Sequence, residues 1–128
     1  LGRDAMGETA IDARLRDNWR VRRNGRLIHA EATLLGGTLA ERNGLSLLAG
    51  RRAFATLLHI APDAEQCARR LAHIRNLLPE DHRIAASANG ERLVIRALAQ
   101  SGLALRRLIV PILAHLSGAG TLPRLWHL

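Results

Sequence analysis

Apolar and polar residues alternate in short runs along most of the chain and change to helical spacing in two places. In the alternating stretch from residue 11 to 34, Asn24-Gly25 is a strong hairpin signal, because both central residues of a type I′ turn need positive φ. A two-residue turn there predicts that Val21 faces Ile28, Trp19 faces Ala30 and Asp17 faces Ala32 on one side of the ribbon. On the other side Arg22 faces Leu27, Arg20 faces His29 and Asn18 faces Glu31. The first side is the core candidate, with Trp19 over the small Ala30, and the second is polar.

Gly36-Gly37 ends that ribbon, and residues 38 to 50 form a Gly-punctuated connection with a short apolar piece, Leu45 to Leu48. Residues 51 to 60 predict a mostly apolar strand that Pro62 stops. Asp63 with Gln66 resembles a capping box, and apolar residues at 67, 71, 74 and 78 predict an amphipathic helix from Ala64 to Leu78, closed by Pro79. Glu65, Arg69, Arg70 and His73 make its solvated face. A second hairpin, Ile84 to Ala88 and Glu91 to Leu98, turns at Asn89-Gly90 and sets Ala86 opposite Leu93 and Ile84 opposite Ile95. Ser101 caps a second helix that runs to about Leu116, where Pro111 is expected to kink or split it and Gly118 lies beyond its end. The tail from Gly118 to Leu128 reads as a loop and a final extended segment. Two Asn-Gly hairpins, further strands and two separate α-helices predict an α+β fold, mainly antiparallel β sheet, with no βαβ array and no internal repeat.

The 128 residues fit one domain, residues 1–128. With 48% hydrophobic but only 2% aromatic residues, the core must be built of Leu, Ile, Val and Ala, with Trp19, Phe54 and Trp126 as the only large rings. No apolar run approaches the ~18 residues that would span a bilayer, and the chain opens without a basic and apolar leader. That pattern suits a cytoplasmic protein with no membrane partner. The apolar Leu1 and Leu128 at the ends, without an initiator Met, read as a piece of a longer, β-rich protein. The single Cys67 excludes an internal disulfide and falls in a helical pattern, as a packed thiol does.

All 19 basic residues are Arg and the net charge is +8, which favours an acidic partner or nucleic acid. A basic nucleic-acid-binding α+β module is the alternative reading. Against it, the chain has no Tyr and one Phe for base stacking, and its Arg residues are interleaved with Asp and Glu between residues 3 and 42. There is no Gly-rich phosphate loop, CxxC, HExxH or GxSxG, so no enzyme chemistry is nominated. The six His residues, 29, 59, 73, 82, 115 and 127, contain no i, i+4 pair, although imidazoles suit nickel and zinc.

Four sets of residues resemble the urease accessory protein family UreD, also called UreH. Gly2, Arg3, Gly7 and Glu8 match its Gly-Arg-x-x-x-Gly-Glu motif, and Arg20 to Gly25 with Glu31 match a basic run and Gly turn leading to a Glu. Leu93 to Leu98, including Arg96, and Leu105 to Leu108 match its apolar strand and following helix, while Pro123, Arg124 and Trp126 match its closing motif. Together they cover the chain in order, as the C-terminal half of a longer UreD-like protein. The departures are the family's missing N-terminal half and Leu116-Ser117-Gly118 in place of a Leu-Arg-Pro helix ending.

The resemblance implies a scaffold without catalytic activity that joins UreF and the GTPase UreG in a complex on apo-urease and passes Ni²⁺ through an internal tunnel. It implies no tightly bound cofactor and no nucleic-acid partner. Glu8 and Glu31 are then oxygen ligands for a transient nickel path. Alternatively, Glu8 pairs with Arg3 and Glu31 with Arg20 as structural ion pairs. Arg124 and Trp126 are expected to tie the C-terminus into the fold.

Overall fold

Alternating residues build two antiparallel sheets, and the two helical stretches build two α-helices, giving an α+β fold. The structure, a computed structural model, describes residues 14–35, 50–80, 83–118 and 122–126. The chain divides into two compact units, Leu1–Gly50 and Arg51–Leu128.

In the first unit, β1 (Leu15–Arg23) and β2 (Arg26–Leu35) form an antiparallel ribbon. Asn24 and Gly25 have φ of 50° and 77°, the positive values that a type I′ turn requires. The turn is therefore where the sequence puts it. The register beyond it is not: Arg22 pairs with Leu27, but Val21 then pairs with His29, so Ile28 is the extra residue of a β-bulge. Trp19 lies opposite Glu31, not Ala30, and Asp17 lies opposite Thr33. One inserted residue has moved all of β2 beyond it to the other face.

The second unit contains β3 (Ala53–Ile60), α1 (Ala64–Leu77), β4 (Ile84–Asn89), β5 (Arg92–Ala99), α2 (Gly102–Ser117) and a 3₁₀ turn, Arg124–Trp126. The sheet order is β3-β5-β4, with β5 central and antiparallel to both neighbours. Leu93, Ile95, Ala97 and Ala99 alternate along β5 as buried residues. Cys67 and Ile74 of α1 and Leu105, Ile109 and Ile112 of α2 join them in one core. Each fully buried Ile or Leu contributes roughly 1.5–3 kcal/mol over its exposed state.

The helix ends follow their capping residues. Asp63 accepts the Gln66 backbone N–H at 2.7 Å, and the Gln66 side-chain amide donates to its other carboxylate oxygen at 2.7 Å. Its carboxyl is accordingly held below the ordinary range, chiefly by that backbone hydrogen bond. Ser101 Oγ accepts from Ala104 N at 3.2 Å, and Gly118 closes α2 in the left-handed region with φ of 63°.

Two sequence expectations need correction here, and a third is narrowed. The second hairpin turns at Gly90-Glu91, with Gly90 at φ 59° and Glu91 outside the positive region, the pattern of a type II′ turn. Ala86 consequently faces Ile95 and Ile84 faces Ala97, a slip of two positions that keeps each side chain on its expected face. Of the two outcomes expected at Pro111, a kink or a split, the split does not occur: α2 runs unbroken from Gly102 to Ser117 with Pro111 on its exposed face, where water can take the bond to the Arg107 carbonyl. Among the described residues of the tail, Arg124–Trp126 form a 3₁₀ turn where an extended segment was expected, with Trp126 N donating to Pro123 O at 2.8 Å. Among the described residues, no helix is long and apolar enough to cross a membrane.

Candidate functional site

The bulge at Ile28 creates the polar face of the first ribbon. It brings His29, Glu31 and Thr33 to the side that carries Asp17, Trp19 and Val21. His29 is buried, at 9% exposure, and its Nε2 lies 3.7 Å from Glu31 Oε2 with no hydrogen-bond partner. The Trp19 ring meets His29 edge-on, with centroids 6.5 Å apart and planes at 69°, while its indole N–H donates to Asp17 Oδ2 at 2.8 Å. Trp19 thus walls one side of the imidazole and is itself held by a carboxylate.

An imidazole nitrogen beside a carboxylate oxygen supplies one borderline and one hard donor. Such a pair can meet a divalent transition metal without closing a coordination sphere around it. Among the described residues, no group of three or more His, Cys, Asp or Glu side chains is arranged to hold a metal ion.

Glu31 is the one predicted nickel ligand within the described residues, and its register sets Arg20 opposite Ala30, on the other face of the ribbon. Gly2, Arg3, Gly7 and Glu8 lie outside the described residues, so the ion pair of Arg3 with Glu8 does too. Arg96 sits at the centre of β5 on its exposed side, across from Thr56 and Ala85. Pro123 and Arg124 are exposed, whereas Trp126 is half-buried against the core, with the Arg106 guanidinium 5.5 Å from its ring centroid. Trp126, then, ties the tail to the second unit.

His29 escaped the sequence reading because the expected register placed it beside Arg20 on the opposite face. A second group escaped it as well. His73 of α1, expected on a purely solvated face, stacks on His115 of α2 with centroids 4.0 Å apart and planes 15° apart. His59 of β3 is turned to the helix side of its sheet, as its pairing with the buried Leu93 shows. Burial lowers the His59 pKa, and Arg70 and then His115 lower it further. Burial likewise lowers that of His115, followed by His73 and Arg70. Burial also pushes the Cys67 thiol up, against the influence of Arg70. The helix contacts are non-local, and no short motif could have announced them.

Comparison with known proteins covers the whole of this arrangement. The family model for the UreD urease accessory protein matches residues 1–127. A protein of Chelativorans sp. described as urease accessory protein UreD is 60% identical over 126 residues, covering 98% of this chain and 44% of that protein. The proteins of the same description from Rhizobium etli and Agrobacterium fabrum are 43% and 41% identical, covering 100% of this chain and 46% and 44% of theirs. The chain therefore spans less than half the length of these relatives.

Proposed function

The chain belongs to the UreD urease accessory protein family, and from that premise we propose that it forms part of a non-catalytic scaffold that helps insert nickel into apo-urease. In this reading it works in the cytoplasm together with UreF and the GTPase UreG, and nickel is cargo, not a resident cofactor. The observation that carries the reading is the family match over residues 1–127, which includes the ribbon bearing Glu31. The buried His29 imidazole at 3.7 Å from the Glu31 carboxylate supports a role for this face in handling the ion. One nitrogen and one oxygen donor hold a divalent ion weakly enough to release it.

The test is Glu31→Ala, and separately His29→Ala, in the full-length protein. Both variants should lower nickel-dependent urease activation while the complex with UreF and apo-urease still forms. Normal activation would reject the nickel role for these side chains; loss of the complex would show that they act on assembly instead.

A further inference from the structure

The face of the first ribbon opposite Trp19 carries a two-row pattern that the nickel role does not use. Along β1 it presents Arg16, Asn18, Arg20 and Arg22, all exposed. Directly across from Arg22 and Arg16 on β2 stand Leu27 at 45% exposure and Leu34 at 66%. Ala30 and Ala32 fill the row between the two leucines and are exposed as well. One strand is thus basic, with Asn18 as the uncharged position between Arg16 and Arg20, and the other is apolar over the length of the ribbon. The Ile28 bulge creates this division too, since it removes His29 and Glu31 from the face.

We propose that this ribbon face is a docking surface for a partner protein whose contacting segment sets carboxylates against the arginine row and apolar side chains against the leucine row. Three observations commit the surface to that occupant. The guanidinium row is complementary to carboxylates, and the same face of a second copy would set arginines against arginines. The apolar row separates a protein partner from nucleic acid, because it offers phosphates nothing and the face has no aromatic ring on which bases could stack. An apolar row bordered by a guanidinium row fits the apolar centre and polar rim of a protein–protein interface, in which Arg is enriched. The inference rests on the accessory-scaffold reading in one respect, the choice of apo-urease as the probe.

The experiment uses the full-length protein and measures its affinity for apo-urease. Reversal of the arginine row, R16E/R20E/R22E, should weaken binding by about 100-fold, since each site then sets like charges against each other. Leu34→Ala should weaken it by about fivefold. Circular dichroism checks that the variants stay folded. Independently, the thiol introduced by Ala32→Cys, read against the parent protein, should react with a thiol reagent in the free protein and be protected when apo-urease is bound. Unchanged affinity in both variants with wild-type binding intact overturns the docking surface and leaves the scaffold reading standing. Failure of the wild-type protein to bind apo-urease overturns both. A thiol at position 32 that stays unreactive in the free protein would show that the rest of the chain already covers the face, and loss of DNA binding with apo-urease binding unaffected would show a nucleic-acid site; either result overturns the proposal.

Discussion

His73 and His115 stack ring on ring across α1 and α2, with centroids 4.0 Å apart. His115 lies in the last turn of α2, where the helix dipole favours an imidazolium. Burial, His73 and Arg70 outweigh it, and the His115 pKa falls below its ordinary value. The His59 pKa is lowered as well, first by burial and then by Arg70 and His115. Between these lowered values and the ordinary one of about 6.5, the unfolded chain binds more protons than the folded chain. Stability from this cluster is therefore complete above the ordinary value and is lost as the pH falls through the lowered ones. The thermal midpoint should drop between pH 7.5 and pH 5, and His115→Phe, which keeps a stacking ring but cannot titrate, should flatten the drop. Equal slopes for the two proteins would contradict the role given to the stack.

Pro111 is exposed within α2 and removes one backbone hydrogen bond, the one that would reach the Arg107 carbonyl. Its side chain contributes nothing to the buried stripe of Leu105, Ile109 and Ile112. Restoring the bond with Pro111→Ala should stabilise the second unit by about 1–3 kcal/mol, less than the full helix-interior penalty where the helix has already relaxed around the ring. Chemical denaturation measures this directly, and a destabilised variant would show that the proline is required for the helix path.

Gly25 has φ of 77° and no atom within 4 Å of where a Cβ would stand, so any substitution penalty there is conformational and not steric crowding by neighbours. Gly25→Ala should destabilise the β1–β2 ribbon by about 1–2 kcal/mol. The change should appear as faster amide exchange in β1 and β2 with little effect on β5. A D-alanine introduced by peptide ligation suits the same φ and should restore protection; if both residues behave alike, turn conformation is not what fixes the ribbon.

The elements were legible because each rests on local chemistry: Asn24-Gly25 for the turn, Asp63 and Ser101 for the caps, and apolar spacing for the helices. Strand register was not, and the two hairpins fail in different ways. In β2, Leu27 and Ile28 are adjacent apolar residues at the bulge, so the alternation beyond them, Ala30, Ala32 and Leu34 against His29, Glu31 and Thr33, does not itself fix which face of β1 each row joins. The turn alone set the expected pairing, and one bulged residue inverted it. In the second hairpin the slip was two positions, so the buried face survived although every partner changed. Glu31 was readable as a candidate from the family motif, but His29 beside it was not, since only the bulge brings them to one face. The His73–His115 stack joins residues distant in sequence, which pattern alone does not pair.

Ile95 offers the sharpest test of where the second unit keeps its stability. It is 1% exposed at the middle of the central strand, pairing with Leu57 on one side and Ala86 on the other, and it belongs to the core that both helices cover. A side chain held between two strands and a helix layer leaves a cavity that its neighbours can only partly fill. Ile95→Ala should therefore cost about 2–5 kcal/mol, the transfer free energy of the lost methyl and methylene groups plus the cavity term. Leu103, at 49% exposure on the outer face of α2, serves as the control, and Leu103→Ala should change stability by less than about 1 kcal/mol. Denaturant unfolding of the two variants against the parent separates these values readily. Equal losses at the two positions would mean that the β5 layer does not form the stable centre of the unit.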